Sequence, residues 1–239
     1  MQHSRASFTL PVVLLVLAAG SMPANANLVS NGSFEISTAS TTTQFLSAGV
    51  SNWTNSDIGE ALVFPSWFTN GYLFPNVGFA GPVPQTSPDG GNFVFSDGDY
   101  HNSAIVQTIT GLTPGGTYGL SFWQGLAQDT EPPITIPGPV TGQWQVTFGT
   151  STQYGAFMTG NGITNTISPW ALQHMSFTAT SATQVLSFFS IGSGDPPLVL
   201  LDGVSLERTP EPATLALFAI AGVLLGGKYV MRRRALGRR

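Results

Sequence analysis

The chain has 239 residues, enough for one good-sized domain with end segments, and 8% of them are charged against roughly 25% in an average soluble protein. The eight basic residues all lie at the ends, so the interval 6–207 holds eleven acids and no Lys or Arg. A domain without cations cannot neutralise phosphates or release their counterions, which excludes nucleic-acid binding and favours divalent cations or neutral polar partners. There is no cysteine, so stability must come from core burial or a bound ion.

In chain order, residues 1–26 read as a secretory signal peptide. Arg5 supplies the positive start, 8–19 the apolar core, and Ala24-Asn25-Ala26 the small-x-small cleavage site, leaving Asn27 as the first mature residue. The apolar core is too short to span a bilayer and is followed by Pro23. Residues 59–85 then place Phe64, Trp67, Phe68, Tyr72, Phe74 and Phe79 among glycines, too irregular for one strand and too aromatic for a solvated loop. A pyranose offers an apolar C–H face that stacks on a ring, and Trp67 and Tyr72, whose polar handles suit a partly wet site, are the candidate platform. The alternative is that these rings cap one end of the core. Asp97-Gly98-Asp99 could coordinate a cation, but it lacks the rest of a calcium loop and reads better as a hairpin turn.

No helical periodicity is sustained between 27 and 207. Strands are predicted at 103–109 (SAIVQTI), 117–123 (TYGLSFW), 143–148 (QWQVTF), 174–179 (HMSFTA), 184–191 (QVLSFFSI) and 198–206 (LVLLDGVSL). Turn signals at 112–116, at Asn161-Gly162 and at 194–197 separate them. Many short strands so punctuated predict an all-β sandwich or jelly roll, with Trp123 and Trp144 in its core. A nucleophile has little material: there is no GxSxG elbow and no Cys, and the mature domain has only His101 and His174. His/Cys zinc spacing is absent too. Eleven acids permit the carboxylate pair of a glycosidase, but nothing marks one, and the expectation is a protein that is not an enzyme.

The domain boundary falls after Glu207. Residues 208–239 hold Pro210-Glu211-Pro212, an apolar run at 213–230 broken only by Lys228, and then Arg232, Arg233 and Arg234. At about 1.5 Å per residue that run spans about 27 Å, enough to cross a bilayer as one C-terminal transmembrane helix if Lys228 snorkels. The Arg cluster is then the membrane stop and stays in the cytoplasm, with the bulk of the protein outside. The prolines keep their segment out of helix and extended, with Glu211 a lone charge at the membrane surface; Pro212 also suits a helix's first position.

This three-part arrangement resembles the PEP-CTERM sorting signal of Gram-negative bacteria that make exopolysaccharide. The resemblance implies an exosortase partner that recognises the signal in the inner membrane, cleaves near Pro210-Glu211-Pro212, and passes the protein to the cell surface or extracellular matrix. A second resemblance rests on NLVSNGSFE from Asn27, Ser51-Asn52-Trp53, GLTPGGTYGLSFW from Gly111, Trp170 with the FTAT from Phe177, and LLDGVSL from Leu200. These are similar to the galactose-binding-like jelly rolls, a superfamily that includes many carbohydrate-binding modules. It implies a structural calcium where first and last strands meet, at Glu35 and Asp202, and a polysaccharide ligand. Open alternatives are a solvated strand end for Glu35, a turn or bulge residue for Asp202, and a structural or adhesive matrix protein with no sugar pocket.

Overall fold

The computed structural model describes residues 26–37, 50–55, 61–64, 72–74, 77–78, 87–99, 102–128, 138–160, 168–194 and 197–209. Ala24, Trp67, Pro210, Glu211, Pro212, the apolar run and Arg232 to Arg234 lie outside them. Among the described residues no helix is long and apolar enough to cross a membrane.

Among the described residues there are thirteen strands: β1 (Thr54–Asn55), β2 (Ala61–Phe64), β3 (Tyr72–Phe74), β4 (Val77–Gly78), β5 (Phe93–Asp97), β6 (Ala104–Thr110), β7 (Thr117–Gln128), β8 (Val140–Phe148), β9 (Ser151–Tyr154), β10 (Met158–Gly160), β11 (Ser168–Thr178), β12 (Thr183–Ser193) and β13 (Pro197–Arg208). The first sheet has the order β11-β7-β13-β5-β2 and the second β1-β6-β12-β8-β10, with β9 also paired to β8. Every pairing is antiparallel. From β5 to β8, and again from β11 to β13, the chain passes to the opposite sheet at each strand, which makes the sandwich a jelly roll.

Side-chain alternation explains why the sheets stack. Along β8, Val140, Trp144, Val146 and Phe148 are buried while Thr141, Gln143, Gln145 and Thr147 alternate with them on the other face. Phe188 sits at the centre of the core, edge-on to Phe122 at 5.1 Å and to Trp144 at 6.0 Å, with Trp53 at 6.3 Å. Trp144 Nε1 donates to the Leu200 carbonyl at 2.9 Å, satisfying the one polar atom its ring brings inside. Tyr118 is also buried, and its hydroxyl accepts the Thr113 amide at 2.7 Å, which ties down the 112–116 turn.

Around β5 and the start of β13 the first sheet is buried on both faces. Phe93, Phe95, Leu198 and Leu200 are buried on the side away from the core, which is why β13 opens as an unbroken apolar run rather than an alternation. The expectation that Trp123 is core needs correction: it lies half-buried on that outer side, cross-strand from Asp202, because its neighbours Phe122 and Gln124 take the inward positions. Asp97-Gly98-Asp99 is a turn, with the Asp99 amide donating to Asp97 Oδ1 at 2.8 Å, but it joins the two sheets and closes no hairpin. All six predicted strands are present.

Candidate functional site

The first candidate is built by the loop Asn31–Phe34. Asn31 and Phe34 both have left-handed backbone, with φ of 54° and 57°, a costly choice for a bulky residue such as Phe. The conformation is held from several sides. Asn31 Oδ1 accepts the Ile36 amide at 2.9 Å, its Nδ2 donates to the Ser51 carbonyl at 3.0 Å, and its carbonyl accepts Trp53 Nε1 at 2.8 Å. The Phe34 ring is fully buried with its centroid 5.3 Å from that of Trp53. Glu35 is thereby turned toward the loop 87–92, where its Oε1 accepts the Asn92 amide. Gly91, at φ 67°, passes so close to the Glu35 carboxylate that a Cβ there would overlap it.

Asp202 faces the same loop from β13, at a bulge that shifts the pairing with β7 between Asp202 and Ser205. It is fully buried; Oδ1 accepts the Gly203 amide at 2.7 Å, and Oδ2 has no hydrogen-bond partner. Burial pushes its carboxyl up from 3.8 to about 8; the Ser87 hydroxyl and the Gly203 amide oppose this, while Asp89 and Glu35 add repulsion. Asp202 thus lies in the field of two further acids, in an interval with no Lys or Arg. Among the described residues no group of three or more His, Asp or Glu side chains is drawn together tightly enough to hold a metal unaided. The residues that could contribute oxygens to a hard cation here are Asp202, with its unpartnered buried Oδ2, Asp89 and Glu35.

The second candidate is the outer face of the second sheet. Cross-strand pairing aligns Ala104, Phe189, Gln145 and Tyr154 in one row and Val106, Ser187, Thr147 and Thr152 in the next. Tyr154 is 57% exposed, Phe189 is half-buried, and the Thr147 and Thr152 hydroxyls are 3.0 Å apart. None of these is Asp, Glu, Lys, Arg or His. At the β1–β6 edge the face runs into a groove of about 360 Å³, lined by Ser30, Asn52, Thr54, Val106, Thr108 and Thr110 among others. Gln107 braces its wall, accepting the Ser30 amide at 2.8 Å and donating to the carbonyls of Ser30 at 2.8 Å and Asn52 at 3.1 Å.

The structure thus brings the predicted pair Glu35 and Asp202 to one loop and adds Asp89, Ser87 and Asn92. Asp89 reads in sequence as one more Asp-Gly turn, and only the fold shows what it faces. Tyr72 lies in the small β3–β4 hairpin, paired with Gly78, while Trp67 is outside the described residues. The sheet face went unread because Gln, Thr and Ser in strands carry no motif; the alternation along β8 was its only signal.

Residues 208–234 match the PEP-CTERM protein-sorting motif, a stretch that includes Pro210, Glu211, Pro212 and Arg232 to Arg234. The motif marks the chain as an exported, exosortase-sorted surface protein held transiently in the membrane. No curated protein matches the chain. Among solved structures it is similar to TmCBM61 in complex with β-1,4-galactotriose, at 15% identity and a TM-score of 0.43, covering 77% of this chain and 99% of that one. It is also similar to the CBM22-1 xylan-binding domain of Paenibacillus barcinonensis Xyn10C, at 14% identity and a TM-score of 0.40, covering 79% and 97%. A third is the enzymatically active domain of bacteriophage CBA120 tailspike protein 4, at 14% identity and a TM-score of 0.38, covering 77% of this chain and 21% of that one.

Proposed function

We propose that this is a non-catalytic surface protein of a Gram-negative bacterium that binds or organises a neutral extracellular polysaccharide. The observation that carries the reading is the outer face of the second sheet, where amides, hydroxyls and an exposed ring lie together with no charged side chain and open into a groove. Glycan hydroxyls bond to amides and hydroxyls, and pyranose C–H faces stack on rings. An anionic glycan would meet no compensating cation in a domain of this charge. The sorting motif supports the setting, since it sends the domain to where such polymers are.

A calcium ion at Asp202, Asp89 and Glu35 belongs to the same proposal. When bound it would supply the positive charge that the buried carboxylate lacks, and would join the N-terminal loop, the 87–92 loop and the last strand.

The test is retention of the mature protein on the host's exopolysaccharide and on a glycan array, with and without calcium. Tyr154→Ala and Gln145→Ala should abolish specific retention while leaving thermal stability within about 0.5 kcal/mol, as surface changes do. Loss on Trp67→Ala and Tyr72→Ala instead would move the site to the aromatic segment. Absence of saturable binding by folded protein would leave the structural matrix reading.

A further inference from the structure

The last strand runs into the sorting motif with no linker. Thr209 still donates its amide to the Thr117 carbonyl at 2.8 Å, Arg208 pairs with Tyr118, and Glu207 with Gly119. Pro210 is the next residue. From Thr209 to Glu211 the chain reaches at most about 7 Å at 3.3–3.6 Å per residue. A single helix with its side chains is about 10 Å across, so not even one element of an enclosing enzyme fits between the sandwich and Glu211. A cleft that takes its substrate as an extended strand bonds to the substrate's main chain, which a segment still paired in its own sheet cannot fully offer.

The strand end is built unevenly. Glu207, Arg208 and Thr209 are exposed, whereas Leu206 is fully buried. Leu206 is also held on its free edge, where β5 no longer reaches: its amide donates to Asn27 Oδ1 at 2.9 Å and its carbonyl accepts the Leu28 amide at 2.9 Å. Asn27 completes the clasp, donating from Nδ2 to the Val204 carbonyl at 3.3 Å and accepting the Val29 amide at 2.9 Å. The residue that follows the predicted signal cleavage site therefore locks the last strand at Leu206, two residues before its end at Arg208.

We propose that processing at the sorting motif proceeds through a locally opened chain in which Glu207 to Thr209 leave β7, and that Asn27 stops the opening at Leu206. Three freed residues add about 10 Å of reach, which brings the gap to about 17 Å and admits a cleft wall. The folded domain thus limits its own sorting through the population of the opened end. The inference rests on the sorting reading, and Asn27 acts in it as a positioning residue.

The experiment follows conversion of the full-length precursor to the processed form by pulse-chase in an exosortase-bearing host, with signal-peptide removal read on the same gel. Inserting Gly-Ser-Gly-Ser between Thr209 and Pro210 supplies the reach without opening and should speed conversion roughly tenfold, the scale of a local opening of a few hydrogen bonds. Asn27→Ala should speed it several-fold, together with faster amide hydrogen exchange at Leu206 but not at Phe188 in the core. Ile105→Val, a buried core change, should leave conversion unchanged. An insertion variant processed at the parental rate, or Ile105→Val matching Asn27→Ala, overturns the inference. A parental chain that is never processed overturns the sorting reading itself, and the inference with it.

Discussion

Replacing Asp202 by Asn separates the cost of a buried carboxylate from the worth of a bound cation. The Asp202 carboxyl titrates near 8 in the folded protein and near 3.8 when exposed, chiefly because of burial. The folded value is the higher one, so this group costs nothing below pH 3.8, costs progressively more as pH rises, and reaches its full cost above about 8. At 1.36 kcal/mol per pH unit, the cost at pH 7 is about 4 kcal/mol. Asn keeps the oxygen that accepts the Gly203 amide and removes the titration. In chelator at pH 7, Asp202→Asn should therefore raise the melting temperature, by up to about 8–16 °C at 2–4 °C per kcal/mol for a domain of this size. In calcium the gap narrows. The parental protein gains about 2.7 kcal/mol at a hundredfold excess over Kd, and the variant gains little or nothing.

Differential scanning calorimetry at pH 5, 7 and 8.5, each with chelator and with calcium, reads both effects. Without calcium the parental protein should lose stability steadily from pH 4 to pH 8 relative to Asp202→Asn, and calcium should flatten that fall because it binds the ionised form. A variant that melts below the parental protein in chelator at pH 7, with no calcium-dependent shift in either, would show Asp202 to be a structural hydrogen-bonding residue and refute the cradle.

Two further predictions concern the scaffold. Phe188→Ala empties the meeting point of Phe122, Trp144 and Trp53 and should cost about 3–5 kcal/mol by urea denaturation with an unchanged m-value. Tyr118→Phe removes the hydroxyl that accepts the Thr113 amide and should cost about 1 kcal/mol, with faster hydrogen exchange confined to the 112–116 turn.

The strands were legible because inward and outward residues alternate, as in QWQVTF, or because Gly and Pro bracket them. β5 was missed since all five of its residues are buried, so FVFSD shows no alternation, and it follows directly on a Gly-rich turn. Trp123 was misread for a related reason: a sheet covered on both sides can bury a ring partly on either. Glu35 and Asp202 were found through resemblance, 167 residues apart, and no spacing rule joins them. Asp89 was invisible because its partners come from two other chain segments. The sheet face needed register, which pairs Gln145 with Phe189 on one side and Tyr154 on the other.

The Asp202 cradle and the sorting tail share one requirement, that the last strand be in place. β13 contributes Asp202 to the cradle and Leu206 to the Asn27 clasp, and Thr209, just past its end, is the root of the sorting motif. A cysteine-free chain has no covalent tie between its first and last segments, and here those segments meet through hydrogen bonds at Asn27 and through Asp202, which Asp89 and Glu35 repel. On the proposed reading a cation reverses that repulsion. Extracellular calcium sites bind at about 10⁻⁴–10⁻³ M, so such a site would fill outside the cell and stay empty within it.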